Sequence, residues 1–240
     1  MINIRFDVER VDYEKSIEGL MPAVQGWVSG SEKMQELEKL LNKLGKDAVP
    51  VLKKLFGYLK TDVKDEILIW LLQSHKDQLK DSANSYLEEA MKGKTMQIGS
   101  LSAENKPGTH MVLRATQVQV DYAQLLKSPL IEESAGKLGG GLLGGAVSIA
   151  AQLGSKMSPE TLEKQGIALL GNEKIKTKIL STFQDGLEKA GLYVTFRDMA
   201  VEPDVPKEKL TDSAEKHGLI PDAFEDGLLD GLAAWLKATV

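Results

Sequence analysis

The sequence predicts a helix-rich α+β protein: a small, mostly antiparallel sheet of about four strands, with a helical bundle inserted after the first strand. Three observations predict it. The chain opens on a run of alternating apolar and polar residues. From Ser31 to about Met91 the apolar residues recur almost throughout at helical spacing. Beyond residue 95, further alternating runs are dispersed among helical stretches rather than following them one for one, which argues against a doubly wound parallel sheet.

In the first run Ile2, Ile4, Phe6 and Val8 fall on one side of a strand, and Asn3, Arg5, Asp7 and Glu9 on the other. Helical spacing takes over after Asp12, through Tyr13, Ile17, Leu20 and Val24, until Pro22 and Gly26 blur its end. Ser31 is placed as an N-cap for a helix with stripe Met34, Leu37, Leu40, Leu41 and Leu44, stopped by Gly45. A second helix carries Val49, Leu52, Leu55, Phe56 and Leu59, with Asp47 at its cap. In a third, Val63, Ile67, Trp70 and Leu71 share a face that Ile69 and Leu72 broaden, which predicts burial on more than one side. A fourth runs from about Lys76 to Met91. Short connections make these antiparallel neighbours, so residues 31–92 are expected as a bundle within a single domain of residues 1–240. The stretch from Asp47 to Leu68 faintly resembles one unit of a helical solenoid, but no second copy exists to stack on it, and a helical hairpin is the better reading.

Met96, Ile98 and Leu101, broken by Gly99 and Ser100, predict a short bulged strand. After the turn signal Asn105-Lys-Pro-Gly, Met111 to Tyr122 alternates again. This places Val112, Thr116, Val118, Val120 and Tyr122 on one side and makes the two runs a hairpin. Ser158-Pro159-Glu160 starts a helix that Gly171 or Asn172 ends, and another follows to about Ala190. Leu192 to Val201 is the last strand. The first strand is expected to pair with those beyond residue 95.

Composition narrows the function. A hydrophobic fraction of 42% and a charged fraction of 27% are those of a folded globular chain. With 30 basic residues against 35 acidic, interleaved and without a basic run, nucleic acid is not an expected partner. No cysteine is present, so thiolate metal sites, iron–sulfur clusters, disulfides and cysteine nucleophiles are excluded. The opening residues lack the basic and apolar segments of a signal peptide, which predicts a cytoplasmic location.

Gly139, Gly141 and Gly144 spell G-x-G-x-x-G, but the last strand residue, Tyr122, is too far upstream for a dinucleotide loop. A P-loop beginning at Ile131 would put Leu138 where Ser or Thr must hold magnesium. The spacing carries another meaning: Gly136, Gly140 and Gly144 recur every four residues, as do Gly141 and Gly145. The segment is expected as a mobile Gly-rich loop leading into a buried helix; alternatively, since such a stripe on a helix admits another backbone at close range, it packs tightly inside the protein, self-associates or meets lipid. His75, His110 and His217 show no metal-ligand spacing, and His75 is expected at a helix junction. Asp222, Asp226 and Asp230, beside Glu225, line one side of a last helix opposite Leu228, Leu232 and Trp235, which describes a solvated acidic face.

No serine lies in a nucleophile elbow, and no triad or cofactor motif emerges. The expected function is therefore a non-enzymatic interaction, scaffold or regulatory protein, without cofactor, catalytic residues or metal, that binds a protein partner or itself. The alternative is a binder of an apolar ligand (a lipid) or a membrane surface, followed by an enzyme of unrecognised type.

Overall fold

The computed structural model describes residues 1–20, 61–104, 111–131 and 158–202, and singly 22, 35, 39 and 57. In chain order these form β1 (Ile2–Val11), α1 (Tyr13–Gly19), α2 (Thr61–Met91), β2 (Met96–Gln97), β3 (Ser100–Glu104), β4 (Val112–Val120), α3 (Tyr122–Leu125), α4 (Pro159–Leu170), α5 (Glu173–Lys189) and β5 (Val194–Glu202). The α+β class predicted from the sequence holds.

All described strands pair antiparallel, in the order β2-β4-β1-β5, with β3 also on β4. The strand expected around Met96–Leu101 is split: Met96 pairs with Val120 and Ser100 with Thr116, while Ile98 and Gly99 leave the ladder between them. The side chain of Asn84 bridges this gap. Its Oδ1 accepts from the Ile98 N–H at 2.7 Å and its Nδ2 donates to the Ile98 carbonyl at 3.0 Å, so both backbone groups are satisfied without a strand partner.

The central strand is β1, flanked by β4 and β5. Its inward residues Ile2, Ile4, Phe6 and Val8 are all buried, as alternation predicted. Helices α2 and α5 pack against each other, α2 contacting β2 and β3, and α5 contacting β5. Phe6 of β1 stacks on Phe183 of α5 with ring centroids 4.1 Å apart, and Phe196 of β5 lies 5.6 Å from both. Three aromatic rings thus join two strands and a helix, each supplying more buried area than an aliphatic side chain.

Helix α2 differs from expectation. The two helices read over 61–72 and 76–91 are one continuous helix, and His75 lies within it rather than at a junction. The linking residues Gln73-Ser74-His75-Lys76 are polar but contain no Gly or Pro, so nothing interrupts the hydrogen-bond ladder. Among the described residues of its first half, Leu68, Ile69, Leu71 and Leu72 are all buried, and they span more than one helix face. The second half narrows to Leu79, Ala83, Leu87 and Met91, one stripe at intervals of four. The rest of the anticipated bundle, between residues 31 and 60, falls almost wholly outside the described residues.

Capping follows the sequence closely. Ser158 Oγ accepts from the Thr161 N–H at 3.3 Å with Pro159 in the first turn, and Asn172 caps α5 through the Lys174 N–H at 3.1 Å. At the far end of the fold α1 is tied to the start of β5. Ser16 Oγ accepts from the Tyr193 N–H at 2.9 Å and donates to its carbonyl at 3.3 Å. Here Gly19 and Gly191 cross backbone to backbone. A Cβ on either would come within 2.4–2.5 Å of the other, and Gly191 also adopts φ +95°, a conformation L side chains rarely take.

Candidate functional site on the outer face of the sheet

Helices cover one side of the sheet, so the alternate residues of β1 face the other way. Ordinary alternation would leave them solvated. Instead Asn3 is only 3% exposed and Asp7 only 6%. The register explains which charges join them. Arg5 of β1 lies directly opposite Arg114 of β4, and Asn3 lies opposite Glu202 of β5.

Two like charges facing each other across a ladder destabilise it. Glu202 relieves this with a single carboxylate that spans both arginines. Its Oε1 accepts from Arg5 Nη1 at 3.3 Å, and its Oε2 accepts from Arg114 Nη1. Each guanidinium is then held from outside by a second acid. Arg114 donates from Nε to Glu104 Oε1 at 2.8 Å, with its Nη2 also 2.8 Å from that oxygen, and Arg5 donates from Nη2 to Asp7 Oδ2 at 3.2 Å. The result is a row of alternating sign, Glu104–Arg114–Glu202–Arg5–Asp7, drawn from four strands. Burial is the largest single influence on Arg114 and would weaken its charge, but the hydrogen bonds and charges of Glu104 and Glu202 together outweigh it and hold its pKa above the ordinary value.

A second like pair continues the row, since Asp7 faces Asp198. Lys176 of α5 neutralises Asp198 at 3.0 Å. Burial pushes the Asp198 carboxyl up, yet the Lys176 bond and the Met199 N–H at 2.8 Å hold it below its usual range.

A β-bulge aims this face. Between the pairs Ile2–Val118 and Ile4–Ala115, the two residues Thr116 and Gln117 oppose Asn3 alone. Gln117 takes the left-handed φ of 53°, and its N–H donates to Asn3 Oδ1 at 3.3 Å. The bulge reverses parity along β4, which corrects the single face read for Val112 and Val118. Val118 pairs with Ile2 on the helix side, whereas Val112 pairs with Asp7 on the outer side.

Three side-chain atoms on this face are enclosed without a partner: Asn3 Nδ2, Arg5 Nε and Asp7 Oδ1. Each enclosed, unpaired polar atom costs about 1–3 kcal/mol. Three of them within five residues of one strand mark a place where stability has been given up, which is characteristic of functional surfaces.

The residues singled out from sequence are not brought together here. Gly136, Gly140, Gly141, Gly144 and Gly145 lie outside the described residues, as do His110, His217, Asp222, Glu225, Asp226 and Asp230. Upstream of the glycine run the described residues end at Ile131, where Leu130 and Ile131 are helical and buried. Among the described residues no three His, Asp or Glu side chains converge as a metal site requires, and no helix is long and apolar enough to cross a membrane. A small apolar hollow of about 10 Å³, room for little more than one water molecule, lies between α2 and β3 against Leu72, Leu79, Leu101, Ala103, Leu113 and Leu192.

No family model matches the chain, and neither the curated proteins nor the solved structures offer a match to it.

Proposed function

We propose that the protein works by non-covalent association, as a scaffold or regulatory partner, and that the outer face of the sheet is its contact surface for another protein. The row Glu104–Arg114–Glu202–Arg5–Asp7, with enclosed and unpartnered polar atoms beside it, carries this reading. Every charged group of the row is already engaged by a neighbour of opposite sign. Such an array holds a fixed pattern of donors and acceptors, which suits recognition better than proton transfer.

With it we take residues 31–92 as a helical bundle inserted after β1 in a single α+β unit, a reading that the burial of Leu68, Ile69, Leu71 and Leu72 on more than one face of α2 supports. The glycine stripe from Gly136 to Gly145 is retained as a second contact or close-packing segment, on its spacing alone.

Tagged full-length chain, cross-linked in its native cells, tests the proposal. Proteins recovered with wild type should be lost with Arg114→Ala and kept with Glu160→Gln, a change on the exposed first turn of α4. Equal recovery by both variants sinks the reading, and so does turnover of a metabolite by the purified chain.

A second reading, binding of an apolar ligand, draws support from the hollow between α2 and β3. At about 10 Å³ the hollow admits no acyl chain as it stands, so a ligand enters only if the surrounding leucines part. Native mass spectrometry of freshly purified protein decides it, because a lipid carrier retains bound lipid and this reading fails if none is carried.

A further inference from the structure

We propose that Arg5 and Arg114 form a clamp for an oxyanion borne by the partner protein, a carboxylate or a phosphate, and that Glu202 occupies this clamp as an internal substitute. The inference rests on reading the outer face as a contact surface and names the chemistry that surface recognises.

Three features carry it. The first is geometry: two guanidiniums on neighbouring strands face each other, and one carboxylate gives an oxygen to each. A partner's oxyanion would be held by the same donors. The second is a surplus of donors. Asn3 lies opposite Glu202 in the ladder, and both its Nδ2 and the Nε of Arg5 lack an acceptor although both are enclosed. The two oxygens of Glu202 are spent on the two Nη1 groups. Asn3 Nδ2 and Arg5 Nε are closed to solvent in this conformation, so the additional oxygens of a tetrahedral phosphate reach them only as Glu202 is displaced. The third is position. Glu202 is the last residue of β5, and Asn3–Glu202 is the terminal pair of that ladder, so its release leaves the pairs from Ile4–Val201 onward intact.

Opposing charges set the strength. Asp7 and Glu104 hold the outer sides of the guanidiniums, and the row has two cations against three carboxylates. A free anion therefore binds weakly while Glu202 is charged, and removal of that one charge balances the row.

The experiment is titration of the full chain with inorganic phosphate, and separately with acetate, read by calorimetry at fixed ionic strength. Glu202→Gln should bind about tenfold more tightly than wild type, since one competing carboxylate is gone. Adding Arg114→Gln to Glu202→Gln should abolish the gain. A preference for phosphate assigns the clamp to a phosphorylated segment, and a preference for acetate to an acidic one. If Glu202→Gln binds no better than wild type, or the double variant binds as well as the single one, the clamp is wrong.

If Glu202→Gln does not fold, wild type still decides. The Nε–H resonances of Arg5 and Arg114 should shift with phosphate and not with an equal ionic strength of chloride, and their failure to move overturns the clamp. The titration contains no partner protein. Its failure beside partner loss by Arg114→Ala removes only the clamp, and the reverse outcome removes only the partner reading.

Discussion

Gly186 of α5 packs directly on the backbone of Ala83 in α2. A Cβ built on Gly186 would lie 2.8 Å from the Ala83 Cα, and the neighbouring Ser82 hydroxyl donates to the Gly186 carbonyl at 2.7 Å. The two long helices meet here with no side chain of residue 186 between them, which sets how closely they can cover the sheet.

Gly186→Ala is therefore expected to destabilise the protein by about 1–3 kcal/mol, although alanine is the better helix former, because the atom it meets is backbone that cannot swing aside. Urea unfolding measures this. Ala83→Gly on top should not recover the loss fully, since the obstructing atom is a Cα. An unchanged midpoint for Gly186→Ala would show that the helices separate freely.

At the gap between β2 and β3, Asn84→Ala removes both partners of the Ile98 peptide groups. Ile98 is 4% exposed, so water does not readily replace them, and a loss of about 2 kcal/mol or more is expected. Amide hydrogen exchange at Ile98 should accelerate well beyond that of Leu101, which remains in the ladder. Equal acceleration at both would indicate a general loosening instead.

Glu202→Gln leaves the opposed Arg5 and Arg114 without their shared anion. Their side chains are 28% and 25% exposed, so solvent screens the repulsion and a cost of about 1 kcal/mol is expected. Thermal unfolding in low and high salt checks the origin of that cost. An electrostatic penalty shrinks with added salt, whereas a packing defect persists.

Tyr13 supplies a dependence on alkaline pH. Its hydroxyl donates to Asp65 Oδ1 at 2.5 Å, and Asp65 is 3% exposed. Burial, then the hydrogen bond and charge of Asp65, push the phenol far above its usual value of 10.0. The folded state binds this proton more tightly than the unfolded one. Its contribution to stability is complete below pH about 10 and declines as pH rises beyond that value. Tyr13→Phe should flatten the alkaline fall in stability and delete one late-ionising phenol from the absorbance titration. A titration identical to wild type would contradict the buried pairing.

The strands were legible where one face is buried and the other polar. Ile2, Ile4, Phe6 and Val8 announce β1 because every second residue enters the core. The helix cap Ser158 was legible because its oxygen serves a local N–H group, whereas Asn172, read only as a possible end of α4, proves to cap the start of α5. Two features left no local trace. Gln117 takes a left-handed conformation without being Gly, Asn or Asp, so the bulge and the change of face between Val112 and Val118 carry no signal. The charged row joins Arg5, Glu104, Arg114 and Glu202 across strands far apart in the chain, and each residue alone looks like an ordinary surface charge. A clue existed in Arg5 and Asp7 sharing the polar side of β1, but their partners are fixed by register, which depends on the bulge.

The sheet order has a consequence during synthesis. The central strand is the first to be made, and its two neighbours follow only after about residue 112 and residue 194. At roughly 5–20 residues per second, β1 waits on the order of ten seconds or more for β5 after leaving the ribosome. Both edges of β1 are vacant until β4 follows, and the edge meant for β5 stays vacant through the rest of that interval, so a nascent-chain chaperone is the natural guard against pairing with a neighbouring chain.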